Sequence, residues 1–203
     1  MKLYSNRFAP SPRRVRMFAA EKGLTLDIVE LDIGRNEHRS ADYLALNATG
    51  DLPTLVLDDG TVLTESLAIC RYLEELHPQP PLLGTSTLAR ARVNEWVDQL
   101  MFRLYVPATQ AFRHTHAFWA DRLTQVPAYG ELAREAVRSE LARLESALQD
   151  GRPFLMGEAL TLADIVAYTS VDFAKVGGVR PSPEQSALGA YLSRIAARPS
   201  TRA

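Results

Sequence analysis

Hydrophobic positions change their period along this chain, and the change divides it in two. Through the first 76 or so residues, short alternating apolar runs are interleaved with helical ones. Lys2–Ser5 reads as a strand. The stretch "APSPRRVRMFAAEKGL" reads as a helix with Ser11 as N-cap, Pro12 at the first helical position and Gly23 as the stop; Pro10 and Val15 fall at the hydrophobic-staple positions. "LTLDIVELDI" alternates as a second strand. A polar stretch, Gly34 to Ala41, leads to a short helical piece ending at Asn47. Two apolar runs then flank Asp58-Asp59-Gly60 as a hairpin, and a helix runs from Glu65 to about Leu76. The predicted order is β-α-β-α-β-β-α.

"HPQPPLLGTS" is rich in proline and has no period, so it reads as a linker. Beyond it no strand is predicted. Val93, Trp96, Val97, Leu100, Met101, Leu104 and Tyr105 share one helical face, and Pro107 is expected to interrupt that helix. "YGELAREAVRSELARLESALQDG" is amphipathic and stops at Gly151. "LTLADIVAYTSVDFAKVG" is apolar nearly all round, the mark of a buried central helix, with Thr161 and Asp164 as its capping box. The expected domains are 1–78, an α/β domain; 79–87, the linker; and 88–203, an all-helical bundle.

Composition narrows the function. Hydrophobic residues make up 46% of the chain, enough for a core, and the 23 basic and 24 acidic side chains nearly cancel, which argues against nucleic acid as a partner. No apolar run reaches the ~18 residues of a membrane span, and the N-terminus lacks the apolar core of a signal peptide. The single cysteine, Cys70, excludes an internal disulfide and points to a cytoplasmic setting. It falls on the apolar face of its helix, beside Leu67 and Leu73, and reads as a buried structural thiol.

One feature of the hairpin asks for an explanation: its first strand opens on Pro53, which cannot donate to a ladder. The segment "GDLPTLVLDDGTVLTES" and, further on, "FLMGEALTLADIVAY" resemble the soluble glutathione transferase family, in order and across the whole chain. The resemblance implies a thioredoxin-like α/β N-terminal domain that binds glutathione, an all-α C-terminal domain that takes an electrophile, and a homodimer. It also implies a cis peptide before Pro53, so that the backbone of Leu52 faces outward and pairs with the cysteinyl backbone of glutathione as an added strand. The helix start at Ser66 is an anion site by its exposed amides and dipole. There the resemblance sets the γ-glutamyl carboxylate on Ser66 and the ammonium on Glu65. A plain capped helix is the other reading of the same residues. Arg35, His38 and Arg39 fall near the family's site for the glycine carboxylate, with Asn47 ahead of the turn; solvated charges account for that stretch equally well.

The chemistry needs glutathione as a thiolate. A free thiol titrates near ~8.5, so lowering it to about 6.5 takes roughly 2.7 kcal/mol, which one or two charge-assisted hydrogen bonds supply at about 1.5–3 kcal/mol each. Many family members use a Ser, Cys or Tyr before the first helix, but here that position is Ala9. Three substitutes are open. Ser11 stands at the helix start, where it also reads simply as a cap. Arg14 or Arg16 can add positive potential. His114 and His116, half of the four histidines, sit late in the first long helix of the second domain, which in the family overhangs the thiol. They also read as a surface pair; at i, i+2 they point apart and suit no metal.

The sequence therefore predicts a cytoplasmic glutathione transferase that uses glutathione as co-substrate, takes no cofactor or metal, and joins the thiolate to a small hydrophobic electrophile. Ala9 keeps open a non-catalytic binding or scaffold protein of the same fold. A thiol-disulfide oxidoreductase would need a cysteine near residues 9 to 12, and none is there.

Overall fold

The structure is a computed structural model and describes all 203 residues, Met1–Ala203. It divides into two compact units, one of Met1–Leu82 with Pro199–Ala203 and one of Leu83–Arg198.

The first unit carries a four-stranded sheet, ordered β2-β1-β3-β4. Its strands are β1 (Lys2–Ser5), β2 (Asp27–Glu30), β3 (Thr54–Val56) and β4 (Val62–Thr64). β1 pairs parallel with β2 and antiparallel with β3, with Leu3 opposite Leu55, both fully buried. The helices of this unit are α1 (Pro10–Glu21), α2 (Ala41–Leu46) and α3 (Ser66–Leu76). The order is the predicted one, a thioredoxin-like arrangement. The predicted second strand contracts to Asp27–Glu30, an edge strand whose Ile28 stays exposed.

α1 departs from its expected start. It begins at Pro10, with Ala9 at the N-cap and no side-chain cap, so Ser11 lies inside the first turn and the expected staple has no cap to flank. The end is as predicted. Gly23 takes φ +68°, its N–H bonds to the Ala20 carbonyl, and the Leu24 N–H reaches the Ala19 carbonyl, a Schellman motif. Beside it Lys22 is fully buried, its Nζ donating to the His77 and Pro80 carbonyls at 2.8 and 2.6 Å and pairing with Glu74. Glu74 in turn accepts the Leu82 N–H at 3.1 Å. This cluster fastens the proline-rich segment to α1 and α3. The last residues, a short 3-10 turn at Pro199–Arg202, return to α1, where Ser200 Oγ donates to Glu21 Oε1 at 2.5 Å.

The second unit is helical: α4 (Thr87–Leu100), α5 (Val106–Thr115), α6 (Pro127–Ala147), α7 (Leu162–Ala174) and α8 (Ser186–Ala196). Ser86 caps α4, accepting the Ala89 N–H at 3.1 Å. A π-helical turn, Met101–Tyr105, joins α4 to α5, and Pro107 follows at the start of α5. The wider turn absorbs the interruption that a proline forces on a long helix. α5 crosses α6 so closely that a Cβ on Gly130 would fall onto Thr115 Cγ2. α7 is buried along most of its length and opens on the predicted capping box. The Asp164 carboxylate accepts the N–H groups of Thr161 and Leu155, each at 2.8 Å, and the hydroxyl of Tyr191 at 2.9 Å. The side chain of Glu145 on α6 caps α8, taking the Leu188 N–H at 2.7 Å. No helix is long and apolar enough to cross a membrane.

Candidate functional site

The turn before β3 is over-determined. Asn47 Nδ2 donates to the Asp51 carbonyl at 2.8 Å and to Thr54 Oγ1 at 3.1 Å. Tyr43, on α2, donates its hydroxyl to the same Asp51 carbonyl at 2.5 Å and lies 2.8 Å from Thr54 Oγ1. Arg39 Nη1 reaches the Thr49 carbonyl at 2.5 Å. Gly50 turns at φ +65°, where a Cβ would meet Arg39 and stand 2.9 Å from the His38 carbonyl, so glycine is required by both conformation and space. These bonds deliver the chain to Leu52–Pro53, a cis peptide. The N–H and C=O of Leu52 take part in no hydrogen bond within the protein. They are an unused edge.

Thr54 faces Thr64 across the hairpin. Leu52 lies two residues before the start of β3, and α3 opens two residues beyond Thr64, the end of the strand that pairs with β3. Glu65, exposed at that start, holds φ +65° and ψ 114°. For a residue with a Cβ this conformation costs about 1–3 kcal/mol, a cost that collects at functional sites. It opens the helix, and no acceptor within the protein engages the first amides of α3. Ser66 is buried and accepts a hydrogen bond from Arg14 Nη1 at 2.7 Å. Arg14 itself is fully buried. One turn along, the Cys70 thiol is pushed up to about 12 by burial, with the positive charge of Arg14 the first influence opposing that rise.

The loop between β1 and α1 is shaped by Arg16. Its guanidinium donates to Ser5 Oγ, to the Asn6 and Arg7 carbonyls at 3.3 and 3.1 Å, and to the Ala203 main-chain oxygen at 3.1 Å. Burial lowers its pKa, with Glu30 opposing. The loop presents Phe8, 80% exposed, and Ala9. Because Pro10 and Pro12 carry no N–H, Ser11 is the only one of the first three helical positions that has one.

In the helical unit, His114 Nδ1 accepts the Val126 N–H and His116 Nδ1 accepts the Phe118 N–H, each at 3.1 Å. In the neutral imidazole both protons therefore sit on Nε2. Gln125 Nε2 ties the Arg113 and His116 carbonyls at 2.9 Å each, closing the segment on itself. Around it Phe112 packs against His116, Phe118, Trp119 and Phe173, with ring centroids 4.9 to 6.1 Å apart. A separate hollow of about 610 Å³ in the same unit, lined by Arg92, Trp96, Arg152 and Met156 among others, contains none of the candidate glutathione-site or thiolate-donor residues.

Within the first unit, then, Arg14 and Ser66 are in direct contact, Leu52 and Pro53 lead into β3 while Glu65 and Ser66 follow its partner β4, Arg39 braces the turn before Pro53, and the His38 carbonyl lies beside Gly50. Sequence reasoning missed the engagement of Arg14 with Ser66, because a second arginine in a first helical turn carries no mark of burial. It also missed Tyr43, whose hydroxyl finds its partners only in the folded turn.

Comparison with known proteins adds the family. The model of the glutathione S-transferase N-terminal domain matches residues 8–76, and that of the C-terminal domain matches residues 125–199. "Glutathione S-transferase 2" of Saccharomyces cerevisiae is 28% identical over 206 residues, covering 100% of this chain and 88% of its own. "Stringent starvation protein A homolog" of Coxiella burnetii is 35% identical over 166 residues, covering 82% and 72%. The crystal structure of a glutathione S-transferase domain-containing protein from Marinobacter aquaeolei superposes with a TM-score of 0.92 at 34% identity, over 99% of this chain and 100% of its own. On this evidence from sequence and architecture alike, the chain belongs to the glutathione S-transferase family.

Proposed function

We propose that the protein binds glutathione against Leu52–Pro53 and the start of α3, holds it as the thiolate, and adds it to a small hydrophobic electrophile. The observation that carries this reading is that the Leu52 backbone just before β3 and the first amides of α3 are both without partners within the protein. An extended peptide completes the edge with two main-chain bonds, and a carboxylate completes the amides. Glu65 is the counter-charge for the ammonium, while His38 and Arg39 serve the glycine end. Ser11, His114 and His116 are the candidates for the thiolate donor, and the rings around Phe112 for the electrophile. Glutathione is a co-substrate here and no other cofactor is invoked. One buried cysteine and a balanced charge fit a cytoplasmic role in detoxification.

We further propose a homodimer. Leu88 and Phe102 are 63% and 72% exposed on the α4 side of the helical unit, and Arg143 stacks over Trp96 at 4.9 Å, a surface of aromatic and arginine character suited to a partner. Sedimentation at micromolar concentration is expected to give twice 22.5 kDa; a species at 22.5 kDa contradicts it.

A second reading, a binding or scaffold protein without turnover, is favoured by Ala9, which offers no hydroxyl. Retention on immobilised glutathione together with turnover of an aryl halide, followed by a panel of electrophiles, decides between them. Retention without turnover of any electrophile supports the second reading, and the absence of both removes glutathione from the account.

A further inference from the structure

We propose that Arg14 is a positioning residue for the carboxylate end of the ligand: from a fully buried seat it fixes the Ser66 hydroxyl so that the hydroxyl proton is turned toward an anion at the start of α3. The inference rests on the glutathione reading above and deepens it.

A serine hydroxyl has one proton and two lone pairs, whereas a guanidinium only donates. At 2.7 Å from Arg14 Nη1, Ser66 Oγ is therefore the acceptor, and its own proton is left for another partner. A serine held this way loses rotamer freedom, and its O–H is polarised by the charge behind it. The neighbouring groups have the same sense. The first amides of α3 point out of the helix start, and the helix dipole adds to them. Hydroxyl, amides and buried cation together make a seat for a carboxylate, which takes the O–H on one oxygen and an N–H on the other.

Burial sharpens the assignment. Arg14 is the largest fully buried side chain of the protein, and its guanidinium is a rigid fork of donors with no acceptor. A cation in that position acts through protein rather than water, so its field on the first turn of α3 is weakly screened. The same charge acts on Cys70, one turn further along α3. Arg14 thus has two candidate roles, a pin between α1 and α3 or a lever on Ser66, and the two differ in what they do to ligand affinity.

Glutathione titrated by calorimetry into wild type, Arg14→Gln, Ser66→Ala and the double variant separates them. Each single substitution is expected to weaken binding about tenfold, and the double variant to bind no more weakly than the weaker single. A glutathione analogue lacking the γ-glutamyl α-carboxylate is expected to bind wild type and Arg14→Gln alike. Folded Arg14→Gln with unchanged affinity overturns the proposal, as do additive losses in the double variant. Should Arg14→Gln fail to fold, Arg14→Lys retains stem and charge without the guanidinium fork. Its loss of affinity is expected to vanish in the Ser66→Ala background, and its persistence there overturns the proposal. Wild type without affinity for glutathione overturns the functional reading itself, an outcome distinct from wild-type binding with an indifferent Arg14.

Discussion

The hydroxyls of Tyr43 and Thr54 lie 2.8 Å apart in a buried contact, and through it α2 holds the turn that ends at Pro53. Tyr43 also donates to the Asp51 carbonyl. Tyr43→Phe keeps the ring and deletes both bonds. We expect a loss of about 1–2 kcal/mol in stability by urea unfolding. We also expect glutathione affinity to fall about threefold, since the Leu52 edge is then less firmly presented. Unchanged affinity in calorimetry would show that Asn47 holds the turn unaided.

How far the sequence foretold this site depends on how local each signal is. The hairpin, the Gly23 stop and the Thr161–Asp164 box are written within a few neighbouring residues, and each appears as read. The start of α1 is not. Ser11 and Pro12 look like cap and first turn, yet Pro10 is equally suited to a first turn, and the helix takes the earlier start with an uncapped Ala9. The π turn before Pro107 has no local mark beyond the proline itself. Arg14, Lys22 and Tyr43 find their partners 52, 52 and 11 residues away in the chain. Polar residues of this kind read as surface until the fold supplies what they bond to.

Lys22 and Glu74 give a direct test of the linker's attachment. Their pair is buried, and Lys22 also holds two carbonyls of the proline-rich segment. Removing one partner leaves the other buried and uncompensated. Lys22→Met and Glu74→Leu are each expected to cost about 3–5 kcal/mol in urea unfolding, and the double variant less than the sum. Additive losses would mean that the two side chains act separately.

Cys70 gives the pH dependence a definite sign. Burial carries its thiol from 9.0 up to about 12, so the folded chain keeps a proton that the unfolded chain has lost. The stability contributed by this site is whole below pH 9 and is lost as pH rises toward 12. The expected slope is about 1.4 kcal/mol per pH unit. Cys70→Ala should remove that slope while other alkaline titrations persist. In the native protein the thiol should resist alkylation at pH 8 to 9 and react only on unfolding. Rapid labelling of the native protein would place Cys70 at the surface and end this account.

Ala9 offers no hydroxyl for the thiolate, and the two routes that replace it make different predictions. Ser11 is the sole N–H of the first three helical positions of α1 and brings a hydroxyl as well. Neither group ionises in the assay range. If Ser11 is the donor, Ser11→Ala raises the apparent thiol pKa, and the profile remains a single ionisation. A histidine donor acts through its ring N–H, and its removal lowers turnover. His114 and His116 each spend Nδ1 on a backbone N–H, which leaves Nε2–H as the group each can offer. His114 has the firmer mount: its ring meets Tyr129 edge-on at 5.2 Å, and it is half-buried where His116 is exposed. We therefore expect His114→Ala to lower turnover about tenfold or more, with His116→Ala the milder change. His114→Gln, which keeps a donor, should restore part of the rate. Turnover and an apparent thiol pKa unmoved by all four substitutions would leave the amide of Ser11 and the field of Arg14 and Arg16 to hold the thiolate.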